Sequence, residues 1–205
     1  ILTYNILYKI VYNINNYYLY PMSENSLRTT ANVKFGSSGR AVAQDLDKDL
    51  LDNLYHHLTM ERTASVQYYA ISLWFQERDL NGFSSFFLNE SKDEMDHAYT
   101  FSNYLIARGQ KVDLHELAKP VQDWQNINEV ISYAFNMEAD LSSSLQQLYS
   151  MAERSFDSRT SVFLDPIMET QIKSEDQFAH ILGKVRFSDD QPTAILIIDA
   201  DLSKK

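Results

Sequence analysis

The residues of this chain that could do chemistry are polar side chains standing where apolar ones belong. Glu94 and His97 are three apart, so a helix would hold them side by side. Glu61, Glu138 and Gln171 each interrupt a different apolar repeat. Carboxylate, imidazole and amide groups are the donor set of Fe, Mn, Mg or Ca. The 205 residues contain no cysteine, so thiolate zinc sites, Fe–S clusters and disulfides are excluded within them.

A core-facing helix repeats apolar residues at spacings of three and four. One stretch reads Leu51, Leu54, Leu58, Glu61, Ser65, Tyr68, Ser72, Phe75, and a second Phe83, Phe87, Glu90, Glu94, His97, Phe101, Tyr104. A third reads Ala134, Glu138, Leu141, Leu145, Leu148, Ala152, and a fourth Leu164, Ile167, Gln171, Ser174, Phe178, Ile181, Val185. Each places a potential ligand about halfway along its buried face. A lone Glu in such a stripe is usually an edge residue, and a lone Glu-x-x-His arises readily by chance. Four helices that carry ligands at one depth are harder to dismiss. Buried carboxylates repel one another and take up protons unless a cation offsets their charge. Glu61, Glu94, His97, Glu138 and Gln171 are therefore read as one metal constellation. His56 and His57 are read as surface or supporting residues, and His115 and His180 as outside the group.

The elements that must position these residues follow from the same periodicity. Helices are expected over 47–78, 82–109, 126–153 and 158–187, with a short one at 192–201 and Asp47 as a plausible N-cap. Only 5 Gly and 4 Pro favour long helices over many short strands. About fifteen residues including Pro120 link the second helix to the third, and the other links are short. Short turns with one long crossover make an all-α, ferritin-like four-helix bundle with a short fifth C-terminal helix. Pro166 falls inside the fourth helix and is expected to kink it.

Ahead of the bundle domain (47–205), residues 22–46 read as a flexible polar arm. Residues 1–21 are rich in Tyr, Ile and Asn and fit neither a signal peptide nor a transit peptide. They are expected to be an unstructured extension or translated upstream sequence, with a start at Met22; an appended targeting segment is the alternative. The net charge of −10 repels nucleic acid and anionic lipid and attracts cations. No apolar run is long enough to cross a membrane.

In these motifs the chain resembles the ferritins. The resemblance runs from about Ala41 to Ser203 and is carried by HLTMERTASVQYYAISLWF, ESKDEMDHAYTFSNYLIARG, NMEAD, QIKSE and AILIIDADLS. HLTMER, FLDP and QPTA are most similar to the cyanobacterial kind of prokaryotic non-haem ferritin. The resemblance implies a di-iron centre that oxidises Fe(II) with dioxygen or peroxide. It implies that Glu61 and His97 bind one iron, that Glu94 bridges, and that Glu138 binds the other with Gln171 close by. It also implies a role for Tyr68 beside the centre, ferric mineral stored in a homo-oligomer of twenty-four subunits, and a cytoplasmic location. The catalytic set is thus Glu61, Glu94, His97, Glu138 and Tyr68.

The departures narrow the kind. Gln171-Ile-Lys-Ser174 stands where bacterioferritins and rubrerythrins carry a second Glu-x-x-His, which argues against a rubrerythrin-like peroxide reductase. Met95 occupies the haem-ligand position of bacterioferritins, but non-haem ferritins share that wording and no haem is expected. Thr170, Lys173, Ser174 and Asp93 replace glutamates of a third iron site, so a site of that design is not expected. A non-catalytic structural subunit is the other rival, and the retained ligands argue against it.

Overall fold

The computed structural model describes residues 33–204. The expectations for residues 1–21 therefore lie outside the described residues. Among the described residues there are two short strands, β1 (Lys34–Phe35) and β2 (Ala41–Val42), and five helices. The helices are α1 (Lys48–Gln76), α2 (Asn81–Ala107), α3 (Ile127–Arg154), α4 (Ser158–Ser188) and α5 (Pro192–Leu202). Every expected helix is present, with ends displaced by at most two residues.

Local chemistry sets the ends. The Asp47 side chain accepts from the amides of Asp49 and Leu50, Asn126 from Glu129, and Asp157 from Thr160, each satisfying N–H groups that a helix start leaves free. The first turn of α2 has no such cap from Leu80; Asp199 of α5 accepts from the Phe83 amide at 2.9 Å instead. α5 therefore closes the end of the bundle by capping a helix far from it in sequence. The C-terminus of α2 ends in a Schellman turn: Gly109 has φ +76, and Gln110 N–H reaches the Leu105 carbonyl at 2.9 Å. α4 runs as one helix through Pro166.

α1 packs chiefly on α2 and α3 on α4, while α1 also meets α3, and α5 rests on α2 and α4. The long crossover between α2 and α3 joins the two hairpins into one bundle. Its interior holds two apolar clusters. One contains Phe75, Phe83, Phe87 and Phe178; the other contains Leu54, Leu58, Phe101, Leu145 and Leu148. Each such side chain stabilises the fold by about 1.5–3 kcal/mol relative to exposure. The polar residues of the four helices lie between these clusters.

The described part of the 22–46 segment, expected to be a flexible polar arm, carries a short hairpin. β1 and β2 pair antiparallel, and the hairpin docks on the end of α2. Ser38 N–H donates to the Gly109 carbonyl at 3.0 Å, and Ser37 Oγ accepts from the Lys111 amide at 2.9 Å. A Cβ at Gly36 would lie 2.2 Å from the Gly109 carbonyl oxygen, so this close approach requires glycine.

Candidate metal centre

Glu61 of α1 and Glu94 and His97 of α2 meet in the middle of the bundle. One ligand atom from each lies within 4.8 Å of the others. His97 Nδ1 is 2.9 Å from Glu94 Oε2 and 3.7 Å from Glu61 Oε2. Glu61 is fully buried and Glu94 nearly so, whereas the His97 side chain is 25% exposed. Among the described residues neither carboxylate oxygen of Glu61 has an aligned hydrogen-bond partner. A buried carboxylate with two free acceptors is a strongly disfavoured arrangement unless a cation completes it. The residues present thus fit a divalent metal ion.

Glu138 of α3 faces this group from across the core. Its Oε1 accepts a short hydrogen bond from the Tyr68 hydroxyl, and its Oε2 accepts from Gln171 Nε2 at 2.8 Å. Gln171 also approaches the Glu138 backbone carbonyl at 3.3 Å. Tyr68 is wholly buried, stacked on Phe178 with ring centres 5.5 Å apart and tilted against Phe87. Two neutral donors therefore fix the Glu138 carboxylate in place.

Burial and mutual repulsion set the electrostatics of the cluster. Burial raises the Glu94 carboxyl well above the carboxylate range, and the charges of Glu61 and Glu138 add to this against the opposing hydrogen bond of His97. Burial also acts on Glu61, but its contacts with His57, His97 and Glu94 outweigh it and leave that carboxyl low. Hydrogen bonding to Glu61 and Glu94 pushes His97 up to about 10. Glu90, one turn before Glu94, is raised to about 8 by burial and by the charges of Glu138 and Asp93.

All six residues singled out from sequence are at the centre of the bundle, but they form two groups. Glu61, Glu94 and His97 cluster directly; Glu138, Tyr68 and Gln171 form a hydrogen-bonded set beside them. The stripe expected on α2 drifts: Ser91, Glu94, Ala98, Phe101 and Leu105 are buried, while Glu90, His97 and Tyr104 lie at the edge. That drift opens the site to a groove of about 380 Å³ between α2 and α4, lined by Glu90, Asp93, Asp96, His97 and Lys173 among others. His57 is not a surface residue. It is fully buried with Nε2 2.8 Å from Glu61 Oε1, whereas its neighbour His56 points outward. Its spacing of four from Glu61 on one helix was the signal for that contact.

Together the fold and the cluster define an all-α bundle protein with a carboxylate-and-imidazole group that could hold a metal ion. The chain belongs to the ferritin family: the model of the ferritin-like domain matches residues 51–188. It is 26% identical over 161 residues to the bacterial non-heme ferritin of Staphylococcus aureus (strain USA300), spanning 78% of this chain and 96% of that protein. The similarly named protein of Staphylococcus haemolyticus (strain JCSC1435) is 26% identical over 152 residues, 74% of this chain and 92% of its own. An open pore ferritin from the hyperthermophilic archaeon Archaeoglobus fulgidus superposes with a TM-score of 0.76 at 22% identity, covering 79% of this chain and 99% of that one. A humanized archaeal ferritin gives a TM-score of 0.75 at the same identity, covering 78% and 98%. These structures establish the likeness of fold. Among the described residues no helix is long and apolar enough to cross a membrane.

Proposed function

We propose that this protein stores iron and is a ferroxidase that oxidises Fe(II) to Fe(III) at a two-iron site. The observation that carries the reading is the convergence of Glu61, Glu94 and His97 in the bundle core, with both Glu61 oxygens free of aligned protein donors. In this reading Glu61 and His97 hold one iron and Glu94 bridges to a second. Glu138 holds the second iron, steadied by Tyr68 and Gln171. Anionic oxygen ligands stabilise Fe(III) over Fe(II), so each bound Fe(II) gives its electron readily to dioxygen or peroxide. The bundle core would hold Glu61, Glu94, His97 and Glu138 ready for the ions, and the acidic groove beside His97 would offer cations a way in.

The names of the staphylococcal relatives support a non-haem ferritin. Storage then means that ferric mineral collects inside a cage of identical subunits, twenty-four by resemblance, in the cytoplasm. The absence of a fourth-helix histidine beside Glu138 makes the second iron the more weakly held of the two.

Anaerobic Fe(II) titration tests the reading. Two tight sites per chain are expected, followed by a transient absorbance on exposure to oxygen. Saturation at zero sites defeats it.

A further inference from the structure

One buried polar side chain at the centre is not used by the reading above. His57 is fully buried one turn before Glu61, where a bundle core ordinarily places an apolar residue. Its ring is held on three sides. Nδ1 lies 2.9 Å from Ser144 Oγ of α3, the ring tilts against Phe101 of α2 with centres 4.6 Å apart, and Nε2 lies 2.8 Å from Glu61 Oε1. Three helices thus fix the imidazole. It approaches one oxygen of Glu61, while the other oxygen, Oε2, faces His97.

We propose that His57 is a positioning residue for metal binding: the Ser144–His57 pair fixes the Glu61 carboxylate so that Oε2 is presented to the ion bound with Glu94 and His97. The chemistry of the groups determines the direction of the chain. A carboxylate only accepts, so the proton faces Glu61 on Nε2. Nδ1 is then an acceptor, and the Ser144 hydroxyl donates to it. The Nε2–Oε1 contact is close, at 2.8 Å, without being an aligned hydrogen bond, and among the described residues no other group makes an aligned hydrogen bond to Oε1. Without the imidazole, Glu61 is free to turn either oxygen, and the ordering that makes it a ready-formed ligand is lost. Groups that orient metal ligands in this way typically contribute 10- to 100-fold in metal affinity.

The inference rests on Glu61 being a ligand, so the test measures binding and not turnover. Co(II) serves as a redox-stable probe, titrated calorimetrically into the assembled protein. A Glu138→Ala background leaves only the first position to fill. There, His57→Leu is expected to weaken Co(II) binding by about tenfold or more. His57→Gln, whose amide N–H replaces the lost donor, is expected to recover most of that. Assembly and the thermal midpoint of the metal-free protein serve as controls, because a role in packing alone would move them and not separate Gln from Leu. Equal Co(II) affinity in His57→Leu and its parent overturns the proposal, as does an equal loss in the Leu and Gln variants. If His57→Leu does not assemble, Ser144→Ala decides: weakened Co(II) binding supports the relay, and parental affinity overturns it. Should the unmutated protein bind no Co(II), the two-iron reading falls and this inference with it; binding there with no effect at His57 sinks the inference alone.

Discussion

Glu94 is a carboxylate in conflict with its surroundings. It is 2% exposed, lies against Glu61 and His97, and feels the charge of Glu138. Its carboxyl is raised, so in the metal-free protein it holds a proton through neutral pH. An acid whose folded pKa is raised costs stability from its unfolded pKa upward, and the cost grows until the folded pKa is reached. Glu94→Gln removes that cost while keeping the shape. The metal-free variant should be more stable than the parent by about 1 kcal/mol or more at pH 8, with the gap closing toward pH 5. Fe(II) oxidation should fall by at least about tenfold, because the proposed bridge is gone. Denaturant titrations at the two pH values and an initial-rate assay check both halves. An unchanged rate would show that Glu94 does not bridge. Opposed effects on stability and rate are the signature of a site assembled at the expense of its own fold.

At the scale of elements, the end of α2 and the start of α4 are tied by one buried ion pair. Arg108, just past α2, donates to Asp157 Oδ2 at 2.7 Å and to the hydroxyls of Tyr104 and Thr160. Asp157 is at once the N-cap of α4 and the partner of that guanidinium. Burial acts to raise its carboxyl, but Arg108 and the amides of the first turn hold it below the ordinary value. A depressed carboxyl adds stability that is fully present above its unfolded pKa and is lost as pH falls through the folded one. Asp157→Asn keeps the cap but leaves Arg108 buried without its counter-charge. It should cost about 3 kcal/mol at neutral pH, and its stability should decline less steeply than the parent's below about pH 4. Thermal melts of both proteins at pH 7 and pH 3.5 measure this; parallel acid profiles would show that the pair does not titrate. Sequence periodicity revealed the four long helices and five of the central residues, because a polar side chain in an apolar stripe is visible one helix at a time, whereas Tyr68 stood out only through the resemblance to ferritins. What lay beyond it was tertiary. Ser144 and His57 sit on different helices, and their meeting depends on how α1 and α3 cross. The Asp199 cap on α2 depends on where α5 folds back, and the 34–42 hairpin depends on a glycine contact with residue 109. The edge placement of Glu90 and His97 was hidden because a strict three–four repeat drifts around a helix as long as α2.

The molecule as a whole leaves apolar surface that a lone bundle has no use for. α5 buries Ile195 and Ile198 against α2 and α4, but its opposite face carries Leu196 at 59% exposure and Ile197 at 64%. Phe187, at the end of α4 just before α5, is 93% exposed. Scattered apolar residues are normal on a surface, whereas a group gathered at one end of a bundle marks a contact. The proposed cage supplies the occupant, other copies of this chain meeting around α5. Ile197→Asp places a charge on that face without touching the core or the metal residues, so helix content and Co(II) binding per chain should stay at parental levels while the assembled fraction falls. Light scattering after size exclusion reads the result. The parent should elute near twenty-four times 23.8 kDa, and the variant should shift toward small species as salt and protein concentration drop. A parent that runs as a monomer or dimer would remove the cage, and with it the storage of mineral, while leaving oxidation at the two-iron site as a separate matter. The proposed metal residues lie within a single bundle, so the proposed oxidation needs only the fold of one chain; the proposed storage needs the contacts of many.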